Sequence, residues 1–562
     1  MSNPIRGLGR RARRMTWLGR LALMALPAAV LAATMVPAVG ASAAQPAAGP
    51  GSSMSRCSTG YLTSALHLAH VAVDSAVLDT TGRYTPPGTA TPITELPSFC
   101  AVALAQTDAA GNSMHIAVWL PAKWNGRFQG IGGGGFSCGI FYAPIAGLVS
   151  PSLKETVTGG YASASTDCGV PVTDAYTGTW GLKPDGKLNR PLITDWASAG
   201  IHDMTVAGKA VTQAYYRGKL RYSYFDGCST GGREALMEAQ RYPADYNGIV
   251  AGSPAINWPS WVPAALWPAL VMSRMHDALP TCKENAFTES AVKACDARDG
   301  VTDGIISDPA DCRWNADHLI GFKTPCGTIT ATDAAVMNKI WQGPETTSGR
   351  PLWHGLERGA SLDYVAVTAT THGVTTPQPF SIPLSWLGTW LQKNPDWNWK
   401  TLTYAQFDQL FAQSVREFST TLATDNPDLT AFHAHGGKIL IWHGLADGLI
   451  PPHGTIQYYQ RVQHAMGAAK TDSFARLFLA PGAQHCADAA GPAPANPLAA
   501  VVKWVERGQA PQSVPAALTD SATGVVTLSR PLCAYPRVAR YDGHGSTDLA
   551  QDFACAPAYE AG

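Results

Sequence analysis

The chain has 562 residues, 46 % of them hydrophobic and 15 % charged, with 41 basic and 41 acidic side chains. That length suits one large domain with an insertion or several domains, and the charge balance excludes a disordered chain or a nucleic-acid-type basic surface. The balance hides an asymmetry: six arginines and no acid lie in the first 44 positions, which leaves 35 basic against 41 acidic residues, a formal charge of −6.

Arg10, Arg11, Arg13, Arg14 and Arg20 lead into the apolar run "LALMALPAAVLAATMVPAV", and "ASAA" at 41–44 offers small residues for cleavage. This is the pattern of an export signal over residues 1–44, the alternative being an uncleaved membrane anchor. Arg13-Arg14 resembles a twin-arginine signal only weakly. No later segment is long and apolar enough to span a bilayer, so a secreted, soluble mature protein is expected, with no membrane or nucleic-acid partner. Residues 45–56, "QPAAGPGSSMSR", read as a flexible leader.

From about residue 100, short apolar runs alternate with helical patterns, the signature of an α/β sheet. "MHIAVWLP", "RFQGIGG" and "YASASTD" read as strands, followed by the helical "WASAGIHDMTVAGKAVTQAYY". "YSYFDG" is the next strand, "GGREALMEAQRYP" a helix and "YNGIVAGSP" a strand; "GKILIWHG" and "FARLFLAPG" follow much later. Between residues 259 and 424 the rhythm stops. That interval holds nine of the seventeen tryptophans and four cysteines, and reads as a lid or an inserted domain. The expected division is therefore a core of 45–258 and 425–562 with an insertion at 259–424. The tryptophans either face an aromatic substrate or form the insertion's own core.

Gly227-Cys228-Ser229-Thr230-Gly231 fits G-x-S-x-G with a strand before it and a helix after it, the context of a strained nucleophile elbow. A serine hydroxyl needs a base oriented by a carboxylate. In the chain order Ser, acid, His, "ILIWHGLADGLIPP" supplies Asp447 after an apolar strand and "LFLAPGAQHCAD" supplies His485 after the next. His443 is the main rival base, and His453 and Asp488 are rivals for the same roles. An oxyanion hole needs two backbone donors, expected at Thr230 and, from the loop "IGGGGFSCG", at Gly134.

"CDARDGVTDGIISDPADC", residues 295–312, places Asp296, Asp299 and Asp303 in one turn-forming segment. Acids this close repel unless a hard cation neutralises them, and oxygen-only ligands, with the carbonyls of Val301 and Ile305, suit calcium. The spacing is not that of an EF-hand, and a solvated acidic loop is the other reading. Twelve cysteines lie beyond residue 44 with no C-x-x-C pair, which argues against zinc ribbons and for up to six disulfides in an exported chain. Their connectivity is not readable from spacing.

Together "WNGRF", "GGGGF", "GCSTGGREALMEAQRYPADYNGIVAGSPA", "DARDGVTDGII", "WHGLADGLIPP", "QHC" and "RPLCAYPRVARYDG" resemble the tannase and feruloyl esterase family, which includes mono(2-hydroxyethyl) terephthalate hydrolase, over about Cys57 to Cys555. The resemblance implies an α/β-hydrolase core with an inserted lid, a triad of Ser229, Asp447 and His485, and a calcium ion in the lid at Asp296, Asp299 and Asp303 with the Val301 and Ile305 carbonyls. It also implies a cysteine pair at Cys228 and Cys486, which contact between Ser229 and His485 would bring together. Cys57, Cys100, Cys295, Cys312, Cys533 and Cys555 are also expected in disulfides, with Cys138, Cys168, Cys282 and Cys326 left unassigned. The expected activity is hydrolysis of small aromatic esters through an acyl-enzyme. An acyltransferase on the same triad and a non-catalytic binding protein on the same fold are the alternatives, and oligomeric state is open.

Overall fold

Runs of β-branched and small residues build a nine-stranded sheet in the computed structural model, which describes residues 54–139, 141–144, 148–520 and 522–558. The expected signal at 1–44 lies outside the described residues. The strands are β1 (Val71–Asp79), β2 (Phe99–Thr107), β3 (Ser113–Pro121), β4 (Arg127–Ile131), β5 (Ala162–Thr166), β6 (Tyr222–Cys228), β7 (Gly248–Gly252), β8 (Lys438–Gly444) and β9 (Ala475–Ala480). Their order across the sheet is β1-β2-β3-β5-β4-β6-β7-β8-β9. β1, β2, β3 and β5 pair antiparallel, and every later neighbour is parallel. The parallel strands are short and buried on both faces, as covering helices require: every residue of β5 and β7 is buried.

Helix α1 (Gly200–Tyr216) follows a π-helical turn at Asp195–Ala199, and α2 (Thr230–Arg241) leaves the end of β6 directly. The loop after β6 is thus a strand-to-helix turn, and those after β8 and β9 end neighbouring parallel strands at the same edge. That arrangement gathers the carboxyl ends of β6, β8 and β9 and sets the site.

Residues 253–437, between β7 and β8, contribute no strand to this sheet. They are more ordered than their sequence pattern suggests. The interval carries the helices Trp258–Ala264, Trp267–Met275, Thr281–Cys295, Ala331–Gln342 and Tyr404–Leu422. Of its tryptophans, Trp258, Trp261, Trp267, Trp341, Trp386, Trp390 and Trp399 are buried. Trp386 and Trp390 pack on each other and on Phe418, and Trp390 continues onto Phe136, Trp180 and Trp196. The expectation that these rings face a substrate therefore gives way to a core. The aromatics weld the insertion to the first half of the chain, and the two central rings have their N–H groups satisfied: Trp386 Nε1 donates to Ser414 Oγ at 2.8 Å and Trp390 Nε1 to the Gly178 carbonyl at 2.9 Å.

All twelve cysteines are paired. The pairs are Cys57–Cys100, Cys138–Cys168, Cys228–Cys486, Cys282–Cys326, Cys295–Cys312 and Cys533–Cys555. Two antiparallel pairs beyond the main sheet, Ser513–Thr519 with Val526–Cys533 and Val538–Tyr541 with Phe553–Ala556, complete the C-terminal part.

Candidate active site

Ser229 sits between β6 and α2 with φ 65° and ψ −123°, a conformation that costs energy for any residue with a Cβ. The fold holds it there by hydrogen bonds, from Ser229 N–H to the Gly252 carbonyl at 3.0 Å and from Ala255 N–H to the Ser229 carbonyl at 2.9 Å. The turn is tight enough that a Cβ at Gly227 would lie 2.7 Å from the backbone of Gly231. A glycine is therefore required on steric grounds.

Asp447, in the turn after β8, is fully buried. Its Oδ1 accepts the N–H groups of Leu449 and Ile450 at 2.9 and 2.8 Å. Its Oδ2 lies 2.8 Å from Nδ1 of His485 and 3.1 Å from Nε2 of His443. Burial alone would raise the Asp447 carboxyl, but the adjacent His485 and His443 rings hold it below the ordinary carboxylate range.

The two imidazoles on Asp447 have different freedom. His443 is entirely buried; its Nε2 faces two acceptors, Asp447 Oδ2 and the Ile450 carbonyl at 3.0 Å, so that nitrogen carries a proton. Nδ1 of His443 then accepts from the Thr455 hydroxyl at 2.9 Å. Both nitrogens are committed. His485 spends only Nδ1 on Asp447, and its Nε2 lies 3.7 Å from Sγ of Cys486, which is bonded to Cys228, the neighbour of Ser229. Nε2 is the nitrogen left for the serine, although no hydrogen bond joins it to the Ser229 hydroxyl here. His453 is paired with Glu357, and Asp488 accepts from Ala493 N–H at 2.5 Å, so neither takes part in this arrangement.

The glycine-rich loop packs on the start of α2, where Gly231 N–H donates to the Gly133 carbonyl at 2.9 Å. Thr230 heads α2, where first-turn N–H groups point out of the helix, and its hydroxyl donates to the Gly135 carbonyl at 2.8 Å. The N–H of Gly134, the expected second donor, is engaged with the Ser137 carbonyl at 3.0 Å. An oxyanion would have to share it or displace that bond. The next N–H, that of Gly135, has no hydrogen-bond partner among the described residues. The sequence did not distinguish these two glycines, because only the fold decides which amide a tight turn consumes.

The acidic loop is tied largely by its own backbone. Asp296 accepts from the N–H groups of Asp303 and Gly304 at 3.1 and 3.0 Å, and Asp299 accepts from Val301 N–H at 2.9 Å. Asp303 accepts from Ile305 N–H at 3.1 Å and is paired with Arg530 at 2.6 Å. The donor chemistry, oxygen only, suits a hard cation. The grouping does not: among the described residues no three acidic, histidine or cysteine side chains are placed to hold a metal ion. Among those residues no helix is long and apolar enough to cross a membrane.

Comparison with known proteins places this geometry in a family. The model of the family "Tannase and feruloyl esterase" matches residues 100–556. A protein described as a probable feruloyl esterase from Arthroderma benhamiae is 42 % identical, covering 84 % of this chain and 88 % of its own length. The mono(2-hydroxyethyl) terephthalate hydrolase of Piscinibacter sakaiensis is 29 % identical over 82 % of this chain and 85 % of its own. Among solved structures, the tannin acyl hydrolase of Aspergillus niger superposes with a TM-score of 0.77 at 26 % identity, covering 89 % of this chain and 95 % of that one. Feruloyl esterase B of Aspergillus oryzae gives 0.76 at 26 % identity, with 90 % and 100 % coverage. The chain therefore belongs to the tannase and feruloyl esterase family and is a carboxylic ester hydrolase.

Proposed function

We propose that the protein is a secreted serine carboxylesterase on an α/β-hydrolase core, with residues 259–424 as its lid, acting on esters of aromatic acids. The observation that carries this reading is the pairing of Asp447 with His485 at 2.8 Å beside a disulfide that leads straight to Ser229 at its strained elbow.

In the proposed reaction Ser229 Oγ attacks the ester carbonyl carbon while Nε2 of His485 takes the hydroxyl proton. Asp447 fixes the imidazole and stabilises its cationic form, which its lowered pKa suits because it stays ionised. The carbonyl oxygen becomes an oxyanion facing the Thr230 N–H. The second donor comes from the glycine run: Gly134, if it releases Ser137, or Gly135, whose N–H has no partner among the described residues. The tetrahedral intermediate collapses, the alkoxide takes the proton from His485, and the alcohol departs. Water, deprotonated by His485, then attacks the acyl-enzyme and frees the acid and Ser229.

Relatives named for feruloyl, tannin and terephthalate esters support an aromatic acyl group. Six disulfides favour an oxidising, extracellular setting. We also propose a structural calcium ion at Asp296, Asp299, Asp303 and the Val301 and Ile305 carbonyls, which would have to draw these carboxylates together and takes no part in the ester chemistry. Rates on methyl ferulate, methyl gallate and a terephthalate monoester, measured with wild type and Ser229→Ala, test the reading. Activity surviving in Ser229→Ala would overturn it.

A further inference from the structure

Glu234 lies one turn into α2, five residues beyond Ser229, and is 1 % exposed. Its Oε2 accepts the N–H of Gly133 at 2.9 Å. Its Oε1 is buried without a hydrogen-bond partner among the described residues, and the Arg233 guanidinium stands 3.8 Å away. That arginine is occupied elsewhere, donating to the carbonyls of Ala197 and Trp196 at 2.7 and 3.0 Å and covering the Trp196 ring. A buried carboxyl with one oxygen unpaired costs stability, and a long ion pair with the buried Arg233 does not replace the missing hydrogen bond. Departures of this kind concentrate where function demands them.

Glu234 grips one particular peptide. Gly133 is held at both ends by α2, its N–H by Glu234 and its carbonyl by Gly231 N–H at 2.9 Å. Two residues on, the Gly135 carbonyl is held by the Thr230 hydroxyl at 2.8 Å. Gly134 is thus suspended between two anchors on the helix that carries the nucleophile. The fit leaves no slack, since a Cβ at Gly132 would lie 2.5 Å from Gly231 Cα and 3.0 Å from Glu234 Oε2.

We propose that Glu234 is a positioning residue for ester hydrolysis, fixing the glycine-rich loop to the nucleophile helix so that the loop's amide donors hold their distance from Ser229. This rests on the serine esterase reading above. Glu234 touches neither substrate nor reacting atoms; it acts through the Gly133 peptide. Its loss should therefore weaken stabilisation of the tetrahedral intermediate and leave ground-state binding intact.

The test compares Glu234→Gln, which keeps an acceptor for Gly133, with Glu234→Met, which fills similar space without one. Methyl ferulate hydrolysis and inhibition by an aryl boronic acid, which forms a tetrahedral adduct on serine, are the readouts. Glu234→Met should lower kcat at least about tenfold, with KM within about threefold and boronate affinity falling in step with kcat/KM. Glu234→Gln should stay within about threefold of wild type in both. Should Glu234→Met not fold, Glu234→Asp, which withdraws the acceptor by one methylene, is expected to show the same loss. Wild-type kcat in folded Glu234→Met or Glu234→Asp, or an equal loss in Glu234→Gln, overturns the proposal. Ser229→Ala is run alongside: if it is inactive while Glu234→Met is normal, only the positioning role fails, whereas an active Ser229→Ala removes the serine reading itself.

Discussion

Cys228 and Cys486 are bonded with their Cα atoms 6.0 Å apart, joining positions separated by 258 residues, and each adjoins a candidate catalytic side chain. The bridge ties the elbow of Ser229 to the loop of His485. It also removes a rival nucleophile, because a cystine has no thiolate. On the loop-entropy model, closing so long a loop is worth roughly 5 kcal/mol. The double variant Cys228→Ser/Cys486→Ser should therefore lose both thermal stability and activity, although Ser229, Asp447 and His485 remain. Peptide mapping without reduction should recover the linked pair. Ready alkylation of both thiols in active enzyme would count against the bridge.

Replacing Ser229, Asp447 or His485 by alanine should each lower kcat at least about a thousandfold, with double replacements adding little. His443→Ala is the informative comparison. Asp447 would keep its bond to His485 and its two backbone donors, so a loss of about tenfold or less is expected, together with a lower melting temperature from the unpaired buried groups. A folded His443→Ala variant as impaired as His485→Ala would reassign the base.

The contrast between these histidines also marks what the sequence could and could not reveal. "GCSTG" between a strand and a helix, and Asp447 and His485 each after an apolar strand, were legible because turn chemistry and chain order are local. β1 was not foreseen: it is an edge strand with alternating, half-exposed residues, so Val71–Asp79 shows little apolar contrast. The tryptophans of the insertion allowed either a substrate-facing surface or a core, and Trp390 belongs to a core with Phe136, Trp180 and Trp196. Composition reports an aromatic cluster but not which way it faces. The same holds for Gly134, whose amide is consumed by Ser137 in a turn that only the folded backbone specifies. The pairings Cys138–Cys168 and Cys282–Cys326 likewise depend on contacts that spacing does not encode.

Calcium makes a separate prediction. If the 296–305 loop takes up the ion, enzyme purified without chelator should contain about one calcium per chain, and EDTA should lower its melting temperature. Asp303→Asn should weaken the metal and also break the pair with Arg530, so Arg530→Gln is the control: it removes the ion pair but not the oxygen ligand. Absence of calcium on elemental analysis, with no thermal shift when calcium is added, would leave Arg530 as the loop's cation.

Stability should also fall as pH rises, for a reason located in the insertion. Glu284, on the helix Thr281–Cys295, is 3 % exposed, and its Oε1 has no hydrogen-bond partner among the described residues. Burial, reinforced by the charge of Asp363, pushes its carboxyl up to about 8. In the unfolded chain the same group ionises near its ordinary value of about 4.3. Below that value both states hold the proton, and the group does not oppose folding. Between the two values the unfolded chain releases the proton while the folded protein keeps it, so stability declines by about 1.4 kcal/mol per pH unit for this one group. Above the folded value both states are ionised and the loss is complete. Glu284→Gln should therefore have a melting temperature that declines less between pH 5 and 9 than that of the wild type, the two curves diverging most on the basic side. Parallel curves for the two proteins would show that Glu284 is ionised in the folded state across this range, with a partner that its surroundings do not now display.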